Sequence, residues 1–398
     1  MDVTIFPKTL SGTVTAIPSK SQAHRLLICA AFADGPTTLL CPDTNRDIEA
    51  TAQCLRALGA GIGRTEEGYQ VIPVRQVPKS ALLPCQDSGS TLRFLLPVAG
   101  ALGVDTVFSM EARLPERPLS PLWEEMTRMG CTLSRPTRDT IRCQGRLRAG
   151  DYSMDGGVSS QFITGLLFAA SRIPGRSQIH LTGKVESRPY ITMTQQAMKR
   201  FGLDTEGFLV QGGQPFHSPG TLRVEGDWSN GAFFLAAKAL GNPVETRNLS
   251  PDSPQGDRAV SELLPALETK ITISAADIPD LVPILAVTAA CKQGAVFPDI
   301  QRLRLKESDR VASVIAMLEA LGGKAEATAN TLTVFGTGLT GGTVDARRDH
   351  RIAMSAAIAA TVCARPVTIL GAECVSKSYP GFWEEYARLG GNYEQHLR

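Results

Sequence analysis

Six long apolar segments recur along the chain, and a short polar group precedes each of them. They lie at residues 26–33, 94–102, 163–173, 232–240, 282–291 and 352–364. Because apolar side chains occupy nearly every position, each segment predicts a helix buried on all sides rather than on one face. A short strand-forming run follows most of these segments, for example at residues 37–40 and 105–108.

The spacing of these segments indicates an internal repeat. Measured between the polar starts, the intervals are 69, 70, 69, 51 and 70 residues, with the starts at Ser21, Ser90, Ser160, Ser229, Asp280 and His350. Amphipathic helices that end in a hydrophobic residue and glycine are predicted between the buried ones, at 47–58, 121–129, 190–201, 309–321 and 381–389, with a degenerate copy at 257–267. The pattern predicts six copies of one βαβα-and-strands unit, of which the fourth is short.

A chain of 398 residues is long for a single hydrophobic core and suits two domains of three units each. The stretch 214–220 is rich in Pro and Gly and predicts a crossover. We therefore expect one domain at 18–221 and another formed by 1–17 and 222–398. Residues 1–18 are interpreted as a first pair of strands. The tail, 377–398, predicts a helix and a strand that pairs with the N-terminal segment.

Composition narrows the class of protein. A net charge of +2 gives no reason to expect nucleic acid or an anionic membrane as a partner. The nine cysteines lack metal-site or CxxC spacing, which favours a reducing compartment and predicts no metal and no cofactor. No signal peptide is recognised, and no apolar run reaches the roughly 18 residues of a membrane helix. We expect a cytoplasmic protein, monomeric, that acts on small molecules.

The polar starts of the buried helices predict an anion site. Free backbone N–H groups and the helix dipole make a helix start electropositive, and here Lys20, Arg25 and Arg351 add positive side chains. Ser and Asp at such positions are also ordinary helix caps. Cations at a positive helix end serve no capping purpose, so we expect a ligand with several negative charges.

The densest charged cluster is at residues 305–310. It contains Lys306, Glu307 and Arg310, and the repeat pattern brings Asp280 and His350 towards it. Carboxylates and a lysine held in a dry, cationic environment have pKa values suited to proton transfer. Asp309 is interpreted as a cap. The cluster therefore predicts acid–base chemistry on an anionic substrate.

The ordered motifs resemble those of the 5-enolpyruvylshikimate-3-phosphate synthase family over residues 10–390. They are Ser19-Lys20-Ser21 with Arg25, Asp87-Ser88-Gly89-Ser90-Thr91-Leu92-Arg93, Glu116-Arg117-Pro118, Ser159-Ser160-Gln161, Ser187-Arg188-Pro189-Tyr190, Ile278-Pro279-Asp280, Lys306-Glu307-Ser308-Asp309-Arg310, Asp349-His350-Arg351 and Lys377-Ser378-Tyr379-Pro380. The resemblance implies an α/β fold, a two-domain inside-out α/β barrel of six βαβαββ repeats with three per domain. It also implies domains that close on the substrates.

The resemblance implies transfer of the enolpyruvyl group of phosphoenolpyruvate to the 5-hydroxyl of shikimate 3-phosphate, by addition and elimination, without metal or cofactor. The catalytic residues implied are Asp280 and Glu307, with Lys20 assisting. Those implied for shikimate 3-phosphate are Lys20, Ser21, Arg25, Ser159, Ser160, Gln161, Ser187, Tyr190, Asp280 and Lys306. Those implied for phosphoenolpyruvate are Lys20, Gly89, Arg117, Gln161, Arg310, His350, Arg351 and Lys377.

Three departures from the family pattern stand out. Relatives often have Asn-Ala-Gly-Thr where this chain has Asp87-Ser88-Gly89-Ser90, and often Asn where it has Arg302. The fourth unit is short between Leu267 and Asp280. Gly89 matches relatives that glyphosate inhibits, so we expect this protein to be sensitive to it.

Two alternatives stay open at this point. The first is the related enolpyruvyl transferase acting on UDP-N-acetylglucosamine, which uses a loop cysteine near residues 113–117. This chain has no cysteine between Cys85 and Cys131. The second is a non-catalytic phosphosugar-binding protein, which would not need Asp280 and Glu307.

Overall fold

Alternating strands and helices build an α/β protein in the computed structural model, which describes residues 1–205 and 207–397. The helices are α1 (Lys20–Ala31), α2 (Arg46–Ala57), α3 (Gly89–Leu102), α4 (Leu122–Arg128), α5 (Ser160–Arg172), α6 (Arg188–Arg200), α7 (Trp228–Ala239), α8 (Val260–Ala266), α9 (Val282–Cys291), α10 (Arg310–Ala320), α11 (His350–Ala359) and α12 (Phe382–Arg388). Short 3-10 helices lie at Leu114–Glu116, Gly256–Ala259, Gln301–Leu305 and Ala372–Lys377.

The strands are short and, in residues 1–205 and 207–397, belong to six small sheets. They are β1 (Asp2–Phe6), β2 (Gly12–Thr15), β3 (Thr37–Leu40), β4 (Gly61–Thr65), β5 (Gly68–Ile72), β6 (Ser80–Gln86), β7 (Asp105–Met110), β8 (Cys131–Ser134), β9 (Thr140–Gly145), β10 (Asp151–Asp155), β11 (Gly175–Thr182), β12 (Leu209–Gly212), β13 (Thr221–Arg223), β14 (Val244–Arg247), β15 (Ile271–Thr272), β16 (Ala295–Pro298), β17 (Lys324–Ala327), β18 (Thr331–Phe335), β19 (Gly342–Asp345), β20 (Val367–Leu370) and β21 (Asn392–His396).

The chain divides into two units. The central unit is Pro18–Val224, and the terminal unit joins Met1–Ile17 to Glu225–Arg398. Each has its own hydrophobic core. In the part of the chain that the structure describes, no helix is both long and apolar enough to cross a bilayer.

Sheets of the central unit repeat one topology, in the orders β13-β3-β5-β4, β6-β7-β9-β8 and β10-β11-β12. In each, the first two strands are parallel and the remaining strands are antiparallel. In each of these sheets, the strand that follows a buried helix is the second strand of the parallel pair.

Three helices, α1, α3 and α5, form the interior of the central unit and are buried over nearly their whole length. Helices α3 and α5 approach very closely at Gly165, where an added Cβ would lie 2.2 Å from the carbonyl oxygen of Arg93. Any larger residue at this position would force the two helices apart. The close approach sets their polar N-terminal turns side by side.

The terminal unit contains sheets of order β19-β20-β1-β21, β15-β16-β18-β17 and β14-β2. The predicted pairing of the tail with the N-terminal segment is confirmed, since β21 runs antiparallel to β1 with Asp2 opposite His396. The interpretation of residues 1–18 as one strand pair is wrong. β1 and β2 belong to different sheets because β2 lies parallel to β14 instead.

The short fourth unit of the sequence has a structural counterpart. Helix α8 is followed after four residues by β15, which pairs with β16 of the next sheet, so no hairpin joins β14. The β14–β2 sheet has only two strands among the described residues, whereas most of the other sheets have four. The missing sequence therefore corresponds to missing strands at the edge of one sheet.

Removing β21 should destabilise the terminal unit. Deletion of residues 392–398 would turn β1 into an edge strand and remove Tyr393, whose ring lies 5.4 Å from that of Trp383. We expect the melting temperature of the terminal unit to fall by about 5 °C or more, because the deletion removes roughly 2–4 kcal/mol of strand pairing and packing. Calorimetry measures this. Deletion of residues 397–398 alone is the control, and an equal effect of both deletions would contradict the assignment.

Candidate functional site

Arg310 is the centre of a charged cluster in the terminal unit. Its side chain is 1% exposed, and its three nitrogens each donate to a different carboxylate. Nη1 donates to Asp280 at 2.6 Å, Nη2 to Glu307 at 2.7 Å and Nε to Asp349 at 2.9 Å. A guanidinium is suited to this role because its donors point in fixed directions within one plane. The three acidic groups are thus held around one buried cation.

Local sequence explains how the cluster assembles. Arg310 is the first residue of α10 and follows its N-cap Asp309, as predicted, while Glu307 is three residues earlier. Asp349 caps α11 by accepting from the backbone N–H of Arg351 at 3.0 Å, and it also accepts from the Ser308 hydroxyl at 3.0 Å. Two helix starts are therefore joined through one carboxylate.

Asp280 lies in the turn before α9, which begins at Val282, rather than in the helix itself. Arg351 Nη2 donates to its second oxygen at 3.1 Å, and Lys306 Nζ lies 3.7 Å from the first. Burial alone would raise the pKa of Asp280. The positive charges of Arg351, Lys306 and Arg310 outweigh burial, so the pKa lies well below the usual value. Asp280 is therefore ionised at neutral pH.

Two further groups in this cluster have shifted pKa values. Burial lowers the pKa of Lys306 to about 8, although the charge of Asp280 opposes the shift. Burial, and then repulsion by Asp280, raises the pKa of Asp257 to about 7. The cluster therefore holds groups that change protonation close to neutral pH, as acid–base chemistry requires.

In the central unit, Lys20 is the first residue of α1 and its ammonium lies 2.9 Å from the carboxylate of Asp47. Asp47 is 4% exposed and is the second residue of α2. This pair fixes the lysine at the polar start of two helices. A ligand anion that binds Lys20 has to compete with, or add to, this ion pair.

Arg25 is 2% exposed, and all of its nitrogens donate to protein atoms. Nε donates to Thr194 at 2.8 Å, Nη1 to the carbonyl of Ser21 at 2.6 Å and Nη2 to the carbonyl of Tyr190 at 3.0 Å. Each Nη carries a second N–H with which a ligand can bond. Arg25 therefore contacts two other residues that are predicted to hold shikimate 3-phosphate.

Gly89 and Arg117 also lie together. Gly89 is the first residue of α3, and an added Cβ there would lie 2.5 Å from Nη1 of Arg117. Gln161, at the start of α5, accepts from Arg93 Nη1 at 2.7 Å and donates to the Ser90 hydroxyl at 3.0 Å. The residues predicted for phosphoenolpyruvate in this unit thus cluster around the start of α3.

The remaining predicted residues lie at helix starts or at the end of a helix. Ser159 caps α5 and Ser160 is its first residue, while Ser187 precedes α6 with φ of 54°, in the left-handed region. His350 begins α11 and is 1% exposed. Lys377, 6% exposed, ends a 3-10 helix that contacts α11.

Sequence reasoning gave no role to Asp47, Arg93, Asp257 or Asp349. Asp349 precedes the His350–Arg351 motif, and Arg93 ends the segment that begins at Asp87, so their positions in motifs were a usable signal. Asp47 had none, since an acidic residue in the first turn of a helix ordinarily serves the helix dipole. Its partner is 27 residues away on another helix.

Known proteins of one family are similar to this chain over almost its whole length. The family model of EPSP synthase (3-phosphoshikimate 1-carboxyvinyltransferase) matches residues 6–276 and 265–386. The 3-phosphoshikimate 1-carboxyvinyltransferase of Clostridium kluyveri is 36% identical over 422 aligned residues, covering 99% of this chain and 98% of the relative. That of Clostridium beijerinckii is 36% identical over 428 residues, covering 98% of each. The chain belongs to the EPSP synthase family.

Solved structures agree in fold. Two structures of EPSP synthase from Acinetobacter baumannii match with TM-scores of 0.81 and 0.80, at 24% and 23% identity, and cover 99% and 100% of this chain and all of the matched chains. The family and the enzyme class predicted from the sequence are confirmed. These relatives do not favour the UDP-N-acetylglucosamine alternative.

The buried carboxyl of Asp257 should make stability depend on pH. The folded protein keeps this proton up to about pH 7, whereas the unfolded chain releases it near 3.8, so this group lowers the free energy of unfolding as pH rises between the two values. We expect Asp257→Asn to gain roughly 2 kcal/mol of stability over the wild type between about pH 5.5 and about pH 8. Denaturant unfolding at both pH values measures this, and the exposed Asp252→Asn is the control. A difference that shrinks with rising pH would contradict the buried, protonated carboxyl.

Proposed function

We propose that this protein transfers the enolpyruvyl group of phosphoenolpyruvate to the 5-hydroxyl of shikimate 3-phosphate and releases phosphate. Membership of the family supports this reaction. The observation that carries the residue assignment is the Arg310 cluster, in which the predicted acid–base residues Asp280 and Glu307 are held on one cation. Cationic groups beside them suit substrates that bear phosphate and carboxylate groups.

The addition step needs a base and an acid. Asp280 takes the proton of the 5-hydroxyl while the hydroxyl oxygen forms a bond to C2 of phosphoenolpyruvate. Glu307 delivers a proton to C3. The product is a tetrahedral intermediate that keeps the phosphate. In the elimination step a proton leaves the C3 methyl group to Glu307, assisted by Lys20, the C2=C3 bond re-forms and phosphate departs. No covalent bond to the protein forms in this scheme.

The ion pairs of Asp280 suggest how its basicity changes on binding. A carboxylate whose pKa lies well below its usual value is a weak base. Arg351 and Arg310 both donate to Asp280, and both are residues proposed for phosphoenolpyruvate. A substrate anion that shares these guanidinium groups draws positive charge from Asp280 and raises its pKa. Substrate binding itself would then make Asp280 a better base.

Further assignments belong to the same proposal. The residues proposed to bind shikimate 3-phosphate are Lys20, Ser21, Arg25, Ser159, Ser160, Gln161, Ser187, Tyr190, Asp280 and Lys306. Those proposed to bind phosphoenolpyruvate are Lys20, Gly89, Arg117, Gln161, Arg310, His350, Arg351 and Lys377. The sheets of four strands that begin with a parallel pair support six βαβαββ repeats in an inside-out α/β barrel. A cytoplasmic location and a monomeric state are further parts of the proposal.

Replacing Glu307 tests the reaction and the acid–base role together. We expect the wild type to release phosphate from phosphoenolpyruvate with shikimate 3-phosphate and not with UDP-N-acetylglucosamine. Glu307→Gln keeps the size of the side chain, so kcat should fall by about 10²–10⁴-fold with smaller changes in KM. Glu326→Gln, on the exposed side of β17, is the matched control. Release with the UDP-sugar, or a Glu307→Gln variant of normal kcat, would contradict the proposal.

Gly89→Ala should weaken the phosphoenolpyruvate site. The new methyl group would lie 2.5 Å from Arg117 Nη1 and must displace that guanidinium. We expect KM for phosphoenolpyruvate to rise about tenfold, and the concentration of glyphosate that halves activity to rise as well. Gly63→Ala on β4 is the control, because nothing lies within 4 Å of its added Cβ. A wild type that is insensitive to glyphosate at levels well above phosphoenolpyruvate would refute the expected sensitivity.

A further inference from the structure

A chain of buried hydrogen bonds joins the first three helices of the central unit. The His24 Nδ1 atom lies 2.7 Å from the Thr51 hydroxyl, and Thr51 lies 2.7 Å from the Thr91 hydroxyl. The Thr91 hydroxyl lies 2.8 Å from the Ser88 hydroxyl. All four side chains are at most 1% exposed. The chain therefore runs from α1 through α2 to the N-cap of α3 without contact with solvent.

A second set of bonds continues from α3 back to α1. Arg93 and Ser90 of α3 both bond to Gln161 of α5. The Thr164 hydroxyl of α5 lies 2.8 Å from that of Thr194 in α6, and Thr194 accepts from Arg25 Nε at 2.8 Å. These bonds connect α1, α2, α3, α5 and α6 in a cycle of helices, in which separate sets of bonds are joined through the backbone of a shared helix. We call these bonds together the polar ring.

His24 is an uncharged member of this chain. Its Nδ1 atom bonds to Thr51, and either tautomer of the imidazole fits this bond, because the Thr51 and Thr91 hydroxyls can each donate or accept. Burial lowers the pKa of His24 to about 3, despite the opposing charge of Asp47, so the ring stays neutral at any assay pH. His24 acts here through its geometry and not through its charge.

Two points of this first chain, on α2 and on α3, lie beside groups proposed to bind phosphoenolpyruvate. Thr51 is on α2, one turn after Asp47, which holds Lys20 at 2.9 Å. Thr91 and Ser88 fix the first turn of α3, where Gly89 lies against Arg117. By contrast, Thr194 contacts Arg25 and the carbonyl of Tyr190, which are proposed for shikimate 3-phosphate.

We infer that His24, Thr51 and Thr91 are positioning residues for phosphoenolpyruvate, and that Thr164 and Thr194 are positioning residues for shikimate 3-phosphate. This inference rests on the proposed function. The hydroxyls touch no substrate in this scheme; they set the spacing of Lys20 and Gly89 on one side and of Arg25 and Tyr190 on the other. A displacement of less than 1 Å in such groups costs binding and rate.

Isosteric Thr→Val variants separate the two arms of the polar ring. Thr51→Val removes the bonds to His24 and Thr91, so KM for phosphoenolpyruvate should rise about tenfold. KM for shikimate 3-phosphate should rise less, because this arm reaches that substrate through Lys20 and not through Gly89 or Arg117. Thr194→Val should show the opposite pattern. The conservative Thr51→Ser should recover most of the loss because it restores the hydroxyl.

Thr106→Val is the matched control. Thr106 is a fully buried threonine of β7 in the same unit, and no partner of its hydroxyl is found among the described residues. Its KM values should equal those of the wild type. Melting temperatures of all variants show whether a change in KM merely follows lost stability.

Steady-state kinetics with both substrates tests whether these residues position the two binding sites separately. Opposite KM patterns in Thr51→Val and Thr194→Val, with recovery in Thr51→Ser, support the inference. Unchanged KM values in active Thr51→Val, or equal rises in both KM values, overturn it and leave the proposed function standing. A wild type that releases no phosphate with shikimate 3-phosphate overturns the proposed function and this inference together.

Discussion

The buried guanidinium of Arg310 is the interaction on which the terminal unit's charged cluster depends. Three carboxylates lie on its three nitrogens at 2.6–2.9 Å, in a site where its own side chain is 1% exposed. Acidic groups this close would repel one another and take up protons if the cation were absent. With Arg310 in place, Asp280 and Asp349 both have pKa values below the usual one, although burial alone would raise them. For Asp280 the charges of Arg351 and Lys306 contribute more than that of Arg310, so the three cations together keep this buried base ionised.

The central unit contains a different kind of buried polar network, made mainly of hydrogen bonds between uncharged groups. The polar ring consists mainly of hydroxyls, amides and a neutral histidine, joined by short hydrogen bonds. Buried bonds of this kind favour one arrangement of the helices, since another arrangement would break them and leave buried polar atoms without these partners. Lys20 and Arg25 are held at the edge of this network. The charged cluster of the terminal unit thus acts on the protonation of its carboxylates. The hydrogen bonds of the central unit act on the positions of its helices.

Repeats and buried helices could be predicted from the sequence because their signal is local. A polar start followed by ten apolar residues has few structural meanings, and the interval of about 70 residues shows six of them. The pairing of strands was harder to predict from the sequence, as the separation of β1 and β2 into two sheets shows. Their partners are more than 200 residues away along the chain, so nothing near them in sequence specifies the sheet.

The same holds for the site residues: those that lie close together in sequence were predicted, and those whose partners are on other helices were missed. Glu307 and Arg310 are three residues apart and were found together. The repeat pattern placed Asp280 and His350 near them, and the structure shows that Arg351, the next residue, pairs with Asp280. Asp47 and Thr51 were missed because their partners are on other helices and their residue types are common at such positions. The most direct test of the role of Arg351, Lys306 and Arg310 in keeping Asp280 ionised is a titration of the Asp280 side-chain carbon by NMR in the free enzyme. We predict an ionised carboxylate down to about pH 4, the usual pKa of an aspartate. A protonation midpoint above that value would contradict this role.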